Sequence, residues 1–236
     1  LIRNYKKPLP PLRRVNRYYS SKEGLKVNLN IKTIPGILSH MWTSLRGNGL
    51  AQQYACVEPP LRAELFSADQ MEQHGKTLAD SHALSPGHAP DRLLTRLAEN
   101  EGLLIGVQNL LTEAVRANHR ITPAGEWLLD NFYLIEEQIR TARRHLPKGY
   151  SQELPRLMNG PSAALPRVYD IAPEMISHGD GRVDPEILSR FAAAYQSVTS
   201  LKLGELWAIP IMLRLALIEN LQRVAARIAT DRIDRN

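Results

Sequence analysis

The chain has 236 residues, of which 43% are hydrophobic and 23% are charged, and its formal net charge is +6. These values are ordinary for a globular protein and exclude a collagen-like chain, a disulfide-stapled mini-protein and a wholly disordered chain. With Cys56 as the single cysteine, no intrachain disulfide and no thiolate cluster for zinc can form, so a cytosolic setting is the default expectation.

The positive charge is concentrated at one end of the chain. Residues 1–40 hold nine lysines and arginines against a single acidic residue, Glu23. The whole chain has 30 basic and 24 acidic residues, so residues 41–236 contain 21 basic and 23 acidic residues. The basicity therefore belongs to one terminal segment, and the nearly neutral remainder lacks the charge of a nucleic-acid-binding domain.

Residues 1–40 are predicted to form a disordered basic tail, because four prolines interrupt any helical or strand period there. An alternative is that its basic residues and interleaved tyrosines bind RNA or an anionic membrane surface. The chain starts at Leu1, and its first methionine is Met41. Either the chain is a fragment, or the tail is upstream sequence joined in frame before a start at Met41, and the sequence leaves both interpretations open.

Residues 41–89 predict a helix followed by a linker. The stretch from Glu58 to Ala83 has mixed helical character, with Ser67 among its turn or cap candidates, whereas Gly75 weakens its continuity. The sequence LSPGHAP at residues 84–90 packs two prolines and a glycine into seven residues, which is typical of a linker.

Residues 90–236 predict a helical body. Asp91 is expected to cap a first amphipathic helix, because apolar residues recur with a period of about 3.6 from Arg92 to Asn118. Thr122 supplies the next start signal, since a proline follows it at the first helical position. The second helix is predicted to run without a break over residues 123–145.

Three further segments follow in the predicted body. Residues 151–166 contain three prolines and a glycine, which favours an irregular loop over a strand. Residues 167–178 predict a short helix that Pro173 should kink or split. Asp184 is expected to cap another helix, which reaches Val198.

The last segment, residues 203–228, is the most apolar part of the chain. Within it, residues 206–218 contain only one polar side chain, Arg214, but thirteen residues are too few for a bilayer, which needs about 20. A protein-buried helix that bends near Pro210 is therefore predicted. Because no run alternates as a β-hairpin does, the predicted fold class is all-α, an irregular helical array with Pro/Gly-rich loops.

Motif chemistry in the sequence does not predict a catalytic site. Neither GxGxxG, GxxxxGK[ST] nor GxSxG occurs. His74, His82 and His88 straddle the Pro/Gly linker without HExxH spacing, so exposed loop histidines are favoured over a metal site.

One other group of polar residues is a candidate metal or acid/base site. Glu174 and His178 lie four residues apart, with Asp180 and Asp184 close behind, which could form a carboxylate-rich metal or acid/base site. A turn at Asp180-Gly181 and a helix cap at Asp184 explain the two aspartates equally well. The sequence therefore predicts neither a catalytic residue nor a metal ligand.

Three blocks resemble consecutive blocks near the N-terminus of bacterial cyclic β-1,2-glucan synthases, large inner-membrane enzymes that build a cyclic glucan from UDP-glucose. They read LLDNFYLIEEQIRTARRHLPKGYSQELPRL (Leu128 to Leu157), PRVYDIAPEMISHGDGRVD (Pro166 to Asp184) and LGELWAIPIMLRLALIENLQRVA (Leu203 to Ala225). The similarity spans about residues 90–228, whereas residues 1–40 fall outside it and residues 41–89 match only loosely.

The resemblance implies an N-terminal piece of such a synthase, lying before its membrane-embedded transferase region on the cytoplasmic side of the inner membrane. The family uses UDP-glucose, but the transferase patterns DxD, TED and QxxRW do not occur here. No catalytic residue, metal or cofactor is therefore carried over to this chain, which is expected to be inactive alone. The expected partner is the remainder of the synthase, with no DNA.

Two functional hypotheses follow. In the first, the chain is a non-catalytic scaffold that docks on the transferase module, with an apolar set on the last helix as contact or core residues. That set is Leu206, Trp207, Ile211, Leu215 and Ile218. In the second, a free-standing helical module binds an acidic ligand, a nucleotide-sugar phosphate or RNA, through Arg140, Arg143 and Arg144. Charge at a helix end explains these arginines as well.

Overall fold

The computed structural model describes residue 54, residues 57–86 and residues 91–233, and for residues 232 and 233 it describes the backbone alone. The predicted tail and His88 lie outside these ranges. The elements are α1 (Ala68–Ser81), β1 (Leu84–Ser85), α2 (Leu93–Arg116), α3 (Pro123–Asp130), α4 (Phe132–His145), a 3₁₀ turn (Tyr150–Glu153), β2 (Arg156–Leu157), α5 (Arg167–His178), α6 (Pro185–Val198) and α7 (Leu203–Ile233). The predicted all-α class is confirmed for the described ranges.

Three helix starts follow from local capping chemistry. Ser67 and Gln70 form a capping box at α1, in which each side chain accepts a hydrogen bond from the other residue's backbone N–H. The Thr122 hydroxyl accepts the N–H of Gly125 at α3, and the Asp184 carboxylate accepts two backbone N–H groups at α6. The predicted caps at Thr122 and Asp184 are confirmed, as is the candidate at Ser67.

The predicted cap at Asp91 is wrong. Helix α2 follows Arg92, whose side chain makes no capping hydrogen bond. The Asp91 carboxylate instead accepts the backbone N–H of Gly149 and the hydroxyl of Ser151, each at 2.7 Å. Asp91 therefore fastens the turn that follows α4 to the start of α2.

The prediction of one unbroken helix over residues 123–145 is also wrong. The chain breaks at Asn131, which lies between α3 and α4 with φ of −106°. The Asn131 side-chain amide and its backbone N–H both donate to the carbonyl of Trp127, at 2.9 and 3.0 Å, a local side-chain-to-backbone bond typical of asparagine at helix boundaries. Leu128 of α3 and Phe132 of α4 are both buried in the core, on either side of this break.

Helix α5 runs unbroken through Pro173, so the interpretation that this proline splits the helix is wrong. Ile171 and Ala172 before it, and Met175 after it, are all buried in the core. Tertiary packing holds both halves in register, which outweighs the backbone hydrogen bond that proline removes.

The segment predicted as irregular loop contains a short strand, which corrects that prediction. Strand β2 pairs antiparallel with β1, with Leu84 opposite Leu157 and Ser85 opposite Arg156. The pairing joins the residues after α1 to the segment before α5. The polar cluster described below also joins α1 to α5.

The core is organised around α7, which packs against α2, α4 and α5, while α1 packs against α6. Gly75 does not interrupt α1. A Cβ at this position would lie 2.9 Å from the carbonyl oxygen of Phe191, so glycine permits the close approach of α1 to α6. Among the helices described, none combines the length and apolar composition required to cross a membrane.

Candidate functional site

The five residues predicted as an interaction surface occupy different environments on α7. Leu215 and Ile218 are buried in the protein's own core, and Leu206 and Ile211 are half-buried against it. Trp207 is 70% exposed. Of this set, Trp207 alone presents a large apolar surface to solvent.

Trp207 begins a row of apolar residues on α7, which we call the α7 stripe: the exposed Trp207, Pro210 and Leu217, and the half-buried Leu221. The spacing of three, seven and four residues keeps these side chains on one helix face. Arg214 lies on the same face, and its Nε donates to the side-chain oxygen of Gln138 on α4 at 3.1 Å.

The stripe borders an apolar cavity of about 410 Å³ between α3 and α4 on one side and α7 on the other. We call it the α4–α7 groove. Its lining includes Trp127, Leu134, Ile135, Pro210, Leu217 and Ile218. Trp127 is 55% exposed, and Leu134 and Leu217 are also exposed. The groove is concave and mainly apolar, and both features are common in binding sites.

Sequence reasoning missed Trp127 and Leu134. Both lie off the apolar face that was assigned to the second predicted helix. Together they form a second apolar face on that segment. Trp127 of α3 and Leu134 of α4 are seven residues apart, a spacing that keeps two residues on one helical face, and both line the groove. Apolar residues off the core face were the signal that could have found them.

The arginines predicted to bind an acidic ligand lie on the last turns of α4. Arg143 donates to the Glu101 carboxylate of α2 at 2.5 Å, and the Nε of Arg140 donates to the backbone carbonyl of Glu136 at 3.3 Å. Arg144 is exposed. The contact with Glu101 partly neutralises the group, and an acidic-ligand site there stays a prediction.

A buried ion pair holds the start of α7 to the start of α5. The Arg167 guanidinium donates to both Glu205 oxygens, at 2.6 and 2.8 Å, and also to the carbonyl of Ser200. The backbone N–H of Lys202 donates to the same carboxylate at 2.8 Å. Because the Glu205 carboxylate receives three hydrogen bonds, its burial is compensated.

A second buried carboxylate, Glu219, lies further along α7. Arg96 and Arg223 donate to its Oε1 at 2.6 and 2.8 Å, and the Tyr169 hydroxyl donates to its Oε2. Burial by itself disfavours ionisation, but the hydrogen bonds from Arg96 and Tyr169 outweigh it and hold the pKa of Glu219 below its ordinary value. Burial, with the charge of Glu219, raises the pKa of the Tyr169 hydroxyl.

His82 has both ring nitrogens engaged inside the protein. Its Nδ1 lies 2.7 Å from the Tyr195 hydroxyl, and its Nε2 lies 3.1 Å from the Asp170 carboxylate. Burial opposes ionisation of Asp170, but hydrogen bonds from His82 and Ser162 outweigh it and lower its pKa. These contacts link the segment after α1 to both α5 and α6, so they have a structural role.

His74, Glu174 and His178 come together where α1 meets α5. The Nε2 of His74 lies 2.7 Å from Glu174 Oε2, and the Nε2 of His178 lies 3.6 Å from the same oxygen. The sequence grouped His74 with His82 and His88 instead, and grouped Glu174 and His178 with Asp180 and Asp184. Asp184 caps α6, and Asp180 occupies a turn with φ of 52°.

Comparison with known proteins identifies a relative. No family model matches the chain. The chain is 36% identical over 173 residues to cyclic beta-(1,2)-glucan synthase NdvB of Rhizobium meliloti (strain 1021). The match covers 73% of this chain and 6% of that protein. The chain is therefore a partial homologue of that synthase, and the resemblance found in the sequence is confirmed.

Proposed function

We propose that this partial homologue of a cyclic β-(1,2)-glucan synthase contributes a non-catalytic helical scaffold that docks on the glucose-transferring module of such an enzyme. The observation that carries the proposal is the α4–α7 groove with its adjoining α7 stripe. The groove is formed by rigid helices, so it needs little ordering before it accepts a partner.

The composition of this surface favours a lasting protein partner over a transient polar ligand. Trp127 and Trp207 are both largely exposed, and tryptophan is among the residues that contribute most to binding at protein interfaces. The groove that Trp127 lines also contains leucine and proline side chains and a single arginine, Arg214. Apolar interface centres depleted in charge are typical of stable assemblies.

The extent of the match supports a partner within the same synthase. The chain spans only 6% of the length of its relative, which leaves most of that synthase to provide an apolar counterpart. UDP-glucose would be bound and used by that remainder, at the cytoplasmic side of the bacterial inner membrane. In this arrangement the scaffold positions helices and does not touch the sugar donor.

The test measures binding in trans between the 236-residue chain and the Rhizobium meliloti synthase lacking the matching 173-residue stretch. We expect the chain to bind the shortened synthase in a one-to-one complex. Trp207→Glu and Leu217→Glu should each weaken binding at least about tenfold, because a central interface residue contributes about 2 kcal/mol or more.

The matched control is Met158→Glu, since Met158 is 63% exposed but does not line the groove. This variant should bind like the unmodified chain. Unchanged binding in both stripe variants would contradict the docking proposal, as would glucose transfer from UDP-glucose by the chain alone. Salt-sensitive binding of UDP-glucose or RNA that is lost on replacing Arg143 and Arg144 by alanine would favour the acidic-ligand hypothesis instead.

A further inference from the structure

We infer that His74, Glu174 and His178 form a binding site for one divalent transition-metal ion of the zinc type. The site shares no residue with the α4–α7 groove. The metal-site inference is therefore independent of the docking proposal, and each can be tested separately.

The spacing of the three side chains suits a metal ion. One ligand atom from each residue lies within 4.8 Å of the other two. With metal–ligand bonds of about 2.0–2.2 Å in tetrahedral geometry, neighbouring ligand atoms lie about 3.4 Å apart. The distances from Glu174 Oε2, 2.7 Å to His74 and 3.6 Å to His178, lie on either side of that value. Small side-chain rotations complete the coordination.

The tautomer of His178 is set by a backbone oxygen. Its Nδ1 lies 2.7 Å from the carbonyl oxygen of Glu64, which can only accept, so Nδ1 carries the proton. The Nε2 lone pair is then available for an ion. A histidine ligand in a metal site commonly donates its other ring N–H to a carbonyl or carboxylate in this way.

The surrounding residues fix the ring of His178 in place. Phe66 stacks on it with ring centroids 3.8 Å apart and an interplanar angle of 12°. The Phe66 N–H donates to the carbonyl of His178, and the Ala63 N–H donates to that of Ser177. These bonds hold the residues before α1 against the end of α5, so His178 is oriented before any ligand arrives.

The donor set indicates which ions bind. Two imidazoles and one carboxylate favour zinc and its transition-metal neighbours over calcium and magnesium, which prefer all-oxygen sites. On binding, the hydrogen that now joins His74 Nε2 to Glu174 must leave as a proton or move to Nδ1 of the same ring. The ion then occupies the position that this hydrogen bond spans.

Room remains beside the site for a further ligand. The three side chains are only partly buried, and His178 also lines a cavity of about 430 Å³ together with Asp180, Arg182 and Asp184. Three protein ligands with an accessible fourth position form the arrangement in which zinc retains a water molecule. The fourth ligand is therefore water or a small anion.

The contrast with His82 supports this assignment. Both nitrogens of His82 have partners inside the protein, so it offers no free lone pair to an ion. At the His74–His178 cluster, the 3.6 Å separation between His178 Nε2 and Glu174 is too long for a hydrogen bond. A metal ion would satisfy both atoms at once.

The experiment titrates Co²⁺, and then Zn²⁺ in competition, into the metal-free 236-residue chain without a histidine tag. We expect one ion per chain, with a visible absorption band for Co²⁺ that Zn²⁺ abolishes. His74→Ala, His178→Ala and Glu174→Gln should each weaken binding at least about tenfold, because even outer-shell changes cost 10- to 100-fold. His119→Ala is the matched control, since His119 is exposed at the end of α2.

Circular dichroism and thermal unfolding separate loss of the site from loss of the fold. Zn²⁺ should raise the melting temperature of the unmodified chain and of His119→Ala more than that of Glu174→Gln, which keeps the shape of the side chain. If a histidine variant fails to fold, metal binding by the folded Glu174→Gln variant tests the site instead. The inference is overturned if the unmodified chain binds no stoichiometric ion, or if the folded Glu174→Gln variant binds as tightly.

Discussion

The buried carboxylates on α7 and the carboxylate of Glu174 on α5 show two different uses of acidic residues in this fold. Glu219 receives hydrogen bonds from three side chains on three helices, and its side chain is 9% exposed. Glu174 faces two imidazoles, with a side chain that is 33% exposed. The first carboxylate is saturated by the protein, whereas the second has capacity for another ligand.

The difference teaches how to distinguish a structural cluster from a binding site. Where a buried carboxylate receives several hydrogen bonds from the protein, as Glu205 does, the charges hold helices together and exclude other partners. Where one ring nitrogen lacks a protein partner at hydrogen-bond distance and water can enter, as at His178, a ligand can be taken up. Variants at the three carboxylates test this distinction directly.

The largest effect is expected for Glu205→Ala. It leaves the buried Arg167 guanidinium without its counter-ion, and breaking a buried ion pair in this way costs about 3–5 kcal/mol. Urea unfolding followed by circular dichroism measures the loss. The double variant Arg167→Met with Glu205→Leu is the control, and it should recover most of the stability because no charge remains unpaired. A loss under about 1 kcal/mol for Glu205→Ala would contradict the saturated-cluster interpretation.

A smaller, pH-dependent effect is expected at Glu219. Because its folded-state pKa lies below the ordinary value of 4.5, its contribution to stability is complete above that pH and is lost as the pH falls through the lowered pKa. Glu219→Gln should cost about 1–3 kcal/mol at neutral pH. It should also reduce the fall in unfolding free energy below about pH 4.5.

The measurement is urea unfolding across this acid range for both proteins. Asp170, whose pKa is also lowered, contributes with the same sign, so some pH dependence should remain in Glu219→Gln. Adding Asp170→Asn should flatten the profile further. Identical slopes for the unmodified chain and Glu219→Gln would show that the Glu219 cluster does not stabilise the ionised form.

The features predicted correctly from the sequence are those set by neighbours along the chain. The caps at Ser67, Thr122 and Asp184 depend on hydrogen bonds to backbone groups two or three residues away. Asp91 was misassigned because its true partners, Gly149 and Ser151, are about sixty residues distant in the chain. Local chemistry allowed a cap there, but a tertiary contact used the carboxylate instead.

The candidate metal site shows the same limit. His74 and Glu174 are 100 residues apart, and their contact depends on how α1 and α5 pack. The spacing of four between Glu174 and His178 was visible as a helical pair. The third residue of the site, His74, lies in another segment. The histidine nearest to it in sequence, His82, belongs to a different cluster.

The smallest effect is expected for Glu174→Gln in the metal-free protein. The carboxylate is one-third exposed, so solvent screens its interactions with His74 and His178, and the loss should be about 1 kcal/mol or less. Urea unfolding in the presence of a chelator measures it beside Glu219→Gln at neutral pH. Added Zn²⁺ should then widen the gap between Glu174→Gln and the unmodified chain, because only the intact site gains binding energy on folding. A metal-free loss as large as that of Glu219→Gln would mean that Glu174 is a saturated structural carboxylate like those on α7, and the distinction between the two regions would fail.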